Sequence, residues 1–294
     1  MTKRIVIAIP SLVLSLSVSA QTPIDEGKRL FDKGKYEESR AMFERALRSN
    51  PHDAVANYFV GRTYLEQAKF DQAEEYLEKA VETQRDSINY HLALATVYQE
   101  KARRASFISA PFIAAKWLRE LETAFQLNDK NLEARRRLIQ YYINAPGIGG
   151  GDDEKGKRLA EEMISIDEIQ GRLIFAWALR RTGAEDHAIK QYEKILELDP
   201  ENGSAYNSLG YVYLNRKDFV RAESFFRRCL EISPHSPNPH DCLGDYYLER
   251  GLVDDAITNF QKAIDLDPRF SESRFKLART LATKKMNNEA ILHL

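Results

Sequence analysis

Two groupings in this 294-residue chain have residue types that could do chemistry. The run Gly147-Ile148-Gly149-Gly150-Gly151 could offer backbone N–H groups to an anion ahead of a helix. A phosphate cradle of that kind follows a strand and is completed by a lysine. Here no strand precedes, no lysine takes the P-loop position, and Asp152 and Asp153 would repel the charge. The run reads as a structural turn. His235, His240, Asp241 and Cys242, with Cys229 nearby, are metal-ligand types, but their spacing fits no standard zinc pattern. No Ser, Cys or His arrangement matches a hydrolase motif such as G-x-S-x-G, and His52, His91, His187 and His293 are scattered through turns and helices. The reading is a non-catalytic chain with no catalytic residue, metal site or cofactor.

Composition narrows the partners. The chain is 43% hydrophobic and 30% charged, with 43 basic against 44 acidic residues, values that suit a helix-rich soluble protein. A nearly neutral chain lacks the broad basic face that phosphate-backbone binding needs, so nucleic acid is not expected, and neither is an electrostatic membrane patch. Arg135, Arg136 and Arg137 are consecutive on a helix and therefore point in three directions. Two cysteines are too few for a disulfide framework. In an oxidising compartment Cys229 and Cys242 have near-symmetric places on either side of the turn around Pro234 and could pair. Two small buried apolar side chains is the commoner fate, and both readings stay open.

The first twenty residues differ in kind. Lys3 and Arg4 form a basic start, Ile5 to Val18 is apolar apart from its polar positions and Pro10, and Val18-Ser19-Ala20 offers a cleavage site ahead of Gln21. Fourteen residues are too few to span a bilayer, which takes about 20. The pattern reads as a signal peptide, residues 1–20, cut after Ala20, with the periplasm or an equivalent secreted location as destination. No cysteine follows Ala20, so a lipid anchor there is unsupported, and no stable membrane span is expected once the leader is removed.

What must position any functional residue is a repeat. Ser204–Pro234 recurs 34 residues later as Asn238–Pro268, matching Gly210 to Gly244, Tyr213 to Tyr247, Ala222 to Ala256, Phe226 to Phe260 and Pro234 to Pro268. A period in this range means an array of stacked units. Small residues at position eight (Gly27, Gly61, Gly210, Gly244) and position twenty (Ser39, Ala73, Ala188, Ala222, Ala256, Ala290) let two helices approach closely. Proline at the unit's end (Pro51, Pro200, Pro234, Pro268) stops the second helix. The third unit closes about ten residues late: a lengthened first helix, a bend near Ser109–Pro111 and a second helix from about Ile113 are expected. The fourth breaks at Pro146–Gly151, with Asp152 or Asp153 capping the helix that follows.

On these residues the chain after the leader, 21–294, resembles the tetratricopeptide repeat family, including some of its exported bacterial members. The units fall at about 21–53, 54–87, 88–130, 131–168, 169–202, 203–236 and 237–270, with a partial unit at 271–294. The resemblance implies an all-α fold, a right-handed α-solenoid of about eight helix-turn-helix repeats forming one continuous domain. It also implies a concave groove lined by each unit's first helix, which binds a segment of a partner protein. Positions 2, 5, 9 and 12 of the first helices would face that groove: Tyr58 and Arg62, Arg136 and Gln140, Trp177 and Arg180, Asn207 and Tyr211, Asp241 and Asp245. The family's carboxylate clamp for chaperone tails is absent, because Lys28, Phe59, Arg62, Asn89 and Ala93 stand at the equivalent places. The reading is a periplasmic interaction scaffold for a protein or peptide. The alternative is a cell-envelope assembly or accessory factor recognising a glycan, lipid or enzyme partner through the irregular third and fourth repeats.

Overall fold

The repeat is written into the helix ends. Thr22, Asp53, Asn131, Asp167 and Asn202 each accept, through a side-chain oxygen, the backbone N–H three residues on, and each begins the first helix of a unit. Such caps satisfy N–H groups that the helix leaves orphaned. A computed structural model of the chain describes residues 22–284 and Ile291. The expected signal peptide, Ala290 and Leu294 lie outside the described residues.

Fifteen α-helices are described, and neighbours in sequence form the pairs. They are α1 (Pro23–Asp32) with α2 (Tyr36–Ser49), α3 (Ala54–Glu66) with α4 (Phe70–Thr83), and α5 (Ile88–Arg104) followed by α6 (Ala110–Leu127). Then come α7 (Leu132–Asn144) with α8 (Asp153–Met163), α9 (Glu168–Arg181) with α10 (Glu185–Leu198), α11 (Gly203–Asn215) with α12 (Phe219–Ile232), and α13 (Pro237–Glu249) with α14 (Val253–Leu266). The helix α15 (Ser271–Thr283) begins the eighth unit. The described chain is all-α, built from tetratricopeptide-type hairpins.

The chain divides into two compact units, one ending at Lys101 and one beginning at Ala102. In the first, Phe43, Val60 and Leu77 are fully buried; in the second, Phe226 and Phe260 occupy the same place in their repeats as Phe43 and Leu77. Burying a side chain of this size stabilises by about 1.5–3 kcal/mol. The close approach beneath these residues is why position eight is glycine. A Cβ on Gly210 would strike the ring of Phe226, and one on Gly244 the ring of Phe260. Ser39, at position twenty, uses the same proximity to donate its hydroxyl to the Gly27 carbonyl at 2.8 Å.

The irregular repeats depart from expectation in one respect. Helix α5 is long, but Pro111 lies in the first turn of α6 and does not precede it, so α6 starts at Ala110 rather than near Ile113. A first-turn proline lacks only an N–H that would be unpaired anyway. In the fourth repeat Asp152, not Asp153, is the cap, accepting the Lys155 N–H at 2.9 Å. Residues Gly147–Gly149 form one 3-10 turn, and Gly150 closes it at φ +87°, a conformation glycine adopts without strain.

Candidate partner-binding groove

Within the first compact unit, α1, α3 and α5 bring four side chains of the first-helix face together. Arg62 donates to the Tyr58 hydroxyl at 3.0 Å, and its guanidinium lies 5.0 Å from the centre of the Phe31 ring. Tyr58 in turn stacks on Tyr90, ring centres 4.7 Å apart. The two residues expected here therefore sit in an aromatic cluster whose other members, Phe31 and Tyr90, sequence reasoning did not single out.

In the second unit the expected residues fall into two groups. On α7 and α9, Arg136 is exposed and pairs with Glu133, while Gln140, Trp177 and Arg180 are half-buried. Trp177 packs against the cluster of Ile139, Ile143, Met163 and Ile174. Among the described residues the Arg180 guanidinium has no ion pair or hydrogen-bond partner, so its donors remain to be used.

The four residues on α11 and α13 are largely engaged with their own neighbours. Asn207 accepts a hydrogen bond from the Cys242 thiol at 3.0 Å. Tyr211 donates to Asp245 at 2.7 Å. Lys276, from α15, reaches back to both Asp245 (2.8 Å) and Asp241 (2.5 Å), and Ser273 donates to Asp241. Asp241 is only 2% exposed, which corrects its assignment as a partner contact: the next repeat's first helix covers position five and supplies its counter-charge. Burial disfavours the Lys276 ammonium, yet the two carboxylates outweigh it and hold the lysine's pKa above its ordinary value. Burial likewise raises the Asp245 carboxyl, with Lys276 and Tyr211 pulling the other way.

Cys229 and Cys242 are both buried and unbridged. Cys229 donates to the Gly203 carbonyl at 3.3 Å while Cys242 turns to Asn207, so each thiol has its own partner and the pairing left open by the sequence is not made. Burial pushes both thiols up to about 12. The residues weighed as metal ligands are dispersed in the same way. His240 faces Asn259 at 3.4 Å, and among the described residues no three His, Cys, Asp or Glu side chains converge. The glycine run is a turn in which Gly149 is buried, with the Tyr141 hydroxyl within reach of the carbonyls of Gly149 and Ala114.

Above the Tyr211–Asp245–Lys276 chain lies a cleft of about 380 Å³ lined by α11, α13 and α15. Leu214 and Leu248 give it an apolar floor, and Asn215, Glu249, Arg279 and Thr283 edge it. Leu214 and Leu248 stand at position twelve and Arg279 at position nine of their repeats. The positional rule that picked Tyr211 and Asp245 reaches these three when carried one turn further and into the eighth repeat. Asn215, Glu249 and Thr283, at position thirteen, fall outside it. The cleft offers a mixed surface, with an anionic and a cationic edge over leucines.

Comparison with known proteins agrees. Two family models, both described as tetratricopeptide repeat, match residues 30–97 in one case and 175–237 and 243–293 in the other, together more than half the chain. A solved tetratricopeptide repeat protein from Parabacteroides merdae is similar in fold, with a TM-score of 0.68 at 17% identity over 88% of this chain and 97% of that one. The C-terminal part of a repeat-containing protein from Cytophaga hutchinsonii is similar with a TM-score of 0.54 at 14% identity, covering 85% of this chain and 97% of that one. Among curated proteins, the BBSome complex member BBS4 homolog of Drosophila melanogaster is 22% identical over 69% of this chain and 41% of its own length. Protein O-mannosyl-transferase Tmtc3 of the same organism is 30% identical over 42% of this chain and 13% of its own length. This chain thus spans less than half of either curated relative. The repeat signature, the paired helices and the shared fold agree: the chain belongs to the tetratricopeptide repeat family.

Proposed function

We propose that the protein is a non-catalytic scaffold that binds an extended segment of a partner protein along its first-helix face, and that it works in the periplasm after removal of residues 1–20. The observation that carries this reading is the cleft on α11, α13 and α15, whose floor is apolar and whose base is stiffened by the Tyr211–Asp245–Lys276 chain. A pre-organised base lowers the ordering cost of binding. Trp177 and Arg180 on α9 extend the same chemistry, being the types enriched at binding hot spots. One curated relative is itself named as the member of a complex, in keeping with a scaffold. The transferase named in the other is nine-tenths outside the matched region and lends no activity here.

Selection of peptides from a displayed library, followed by affinity measurement, tests the reading. Selected peptides should lose at least tenfold in affinity to Leu248→Ala and to the exposed Arg279→Ala; Leu248 also packs on the Phe260–Leu277 cluster, so unchanged circular dichroism is checked alongside. Peptides that bind both variants as tightly as the parent would overturn the assignment of the cleft.

The envelope-factor alternative rests on the irregular repeats. Phe107, Ile108, Phe112 and Ile148 point into solvent there and do not enclose a cavity, which favours contact with a surface over capture of a small molecule.

A further inference from the structure

The two interruptions of the period expose four large apolar side chains. Phe107 is 92% exposed, Ile108 78%, Phe112 75% and Ile148 82%. Phe107 and Ile108 lie in the turns between α5 and α6, and Phe112 is in the first turn of α6. Ile148 belongs to the 3-10 turn, and that turn is fastened to the same end of α6: the Tyr141 hydroxyl lies within reach of the carbonyls of both Ala114 and Gly149, its single proton shared between them. The interruptions, 40 residues apart in sequence, are thus held together in space.

Charge accompanies the exposure. From Ala102 to Arg119 the chain carries Arg103, Arg104, Lys116 and Arg119 and not one aspartate or glutamate, in a protein whose acidic residues outnumber its basic ones. Arg119 engages Glu120 at 3.1 Å, but its side chain stays mostly exposed. Contiguous exposed apolar groups mark interaction sites. Aromatic and aliphatic side chains protruding beside arginine and lysine are the composition that seats at a bilayer interface, the apolar groups entering the acyl boundary and the cations meeting anionic headgroups. We infer that this face, built by the third and fourth repeats, docks the protein peripherally on an anionic lipid bilayer. The proposal does not depend on the cleft at α11, α13 and α15.

The test uses the full chain and vesicles of phosphatidylcholine with or without one-quarter phosphatidylglycerol. A polarity-sensitive fluorophore is placed at Phe107→Cys, the native cysteines being buried. Fluorophore emission should shift to the blue on the anionic vesicles, partitioning should be at least tenfold stronger there than on phosphatidylcholine alone, and raised salt should weaken it. The triple variant Phe107→Ser/Ile108→Ser/Phe112→Ser should lose at least tenfold in partitioning while keeping its helical circular dichroism, since these side chains contribute no core. Leu248→Ala and Arg279→Ala should partition as the parent does, which separates this proposal from the groove reading. Pelleting with vesicles while the fluorophore stays in water would overturn it, because the apolar stretch Ile5–Val18 would then carry the binding. Equal partitioning of parent and triple variant would overturn it too. So would a triple variant that loses a protein partner but no affinity for vesicles.

Discussion

Tyr211 donates its hydroxyl proton to Asp245 at 2.7 Å, joining the ninth positions of two successive repeats. Lys276 then binds Asp245 and the buried Asp241 together, so three consecutive first helices share one hydrogen-bonded chain. A polar network of this kind fixes geometry, because each member is left unsatisfied if its neighbour moves.

Lys276→Met should therefore be costly. It leaves two carboxylates without their cation, one of them buried, and should destabilise by about 3 kcal/mol. Adding Asp241→Asn and Asp245→Asn to the same chain should recover a large part of the loss. Urea unfolding followed by circular dichroism compares the three proteins, and equal midpoints for parent and Lys276→Met would refute the network's role.

The close approach at position eight gives a sharper contrast. Gly210→Ala and Gly244→Ala each force a methyl group against a buried phenylalanine ring and should cost about 1–3 kcal/mol. Gly203→Ala, where an added Cβ meets nothing within 4 Å, should be neutral or slightly stabilising. Thermal melts of the three variants side by side decide it.

The consecutive arginines of α7 should separate just as clearly. Arg135 is buried and donates to the carbonyls of Asp129 (3.0 Å) and Leu159 (3.1 Å) and to Glu162, tying α7 to α8 across the glycine run. Arg135→Met should cost about 1–2 kcal/mol, because it removes three hydrogen bonds made by a buried guanidinium. The exposed Arg136, paired only with its helix neighbour Glu133, should change stability by less than about 0.5 kcal/mol when replaced by Met.

The two thiols predict an alkaline limb. Unfolded, they ionise from about 9; folded, burial holds them protonated to about 12. Between those values the unfolded state binds fewer protons, so stability falls as pH rises. At pH 10 each thiol accounts for about 1.4 kcal/mol of that fall. Lys276 acts in the same direction at higher pH, its contribution being held below 10.5 and lost as pH rises beyond it. The double variant Cys229→Ala/Cys242→Ala should show a loss about 2–3 kcal/mol smaller than the parent between pH 8 and pH 10, measured by urea titration. A thiol reagent at pH 8 should find two reactive groups in denaturant and none in the native protein.

The fold was legible because packing imposes a period. Gly210 under Phe226, or Gly244 under Phe260, recurs at 34 residues wherever two helices must approach to the same distance. One helix start was legible for a similar reason, since aspartate is a cap residue type whatever surrounds it, as at Asp152. The groove was legible only in part. A positional rule names the residues on one face of one helix, but it does not say what the next helix brings over them. Asp241 satisfies the rule and is nonetheless covered, because Lys276 and Ser273 arrive from 32 and more residues away. Pro111 was misplaced for a related reason: a proline stops one helix or starts another, and Ser109 ahead of it, a residue type suited to the N-cap, was read as part of a bend.

The bonds that join α11, α13 and α15 connect residues 31 to 35 apart, as at Lys276–Asp245, Tyr211–Asp245 and Asn207–Cys242. A unit is therefore complete, apart from its shared face, as soon as its successor has been made. Low sequence separation between contacts makes folding fast and lets it proceed locally. A chain delivered end-first, through a ribosome or a membrane channel, could fold hairpin by hairpin as it emerges. Its loss of structure under denaturant would follow the same grain, spreading from an end instead of striking everywhere at once.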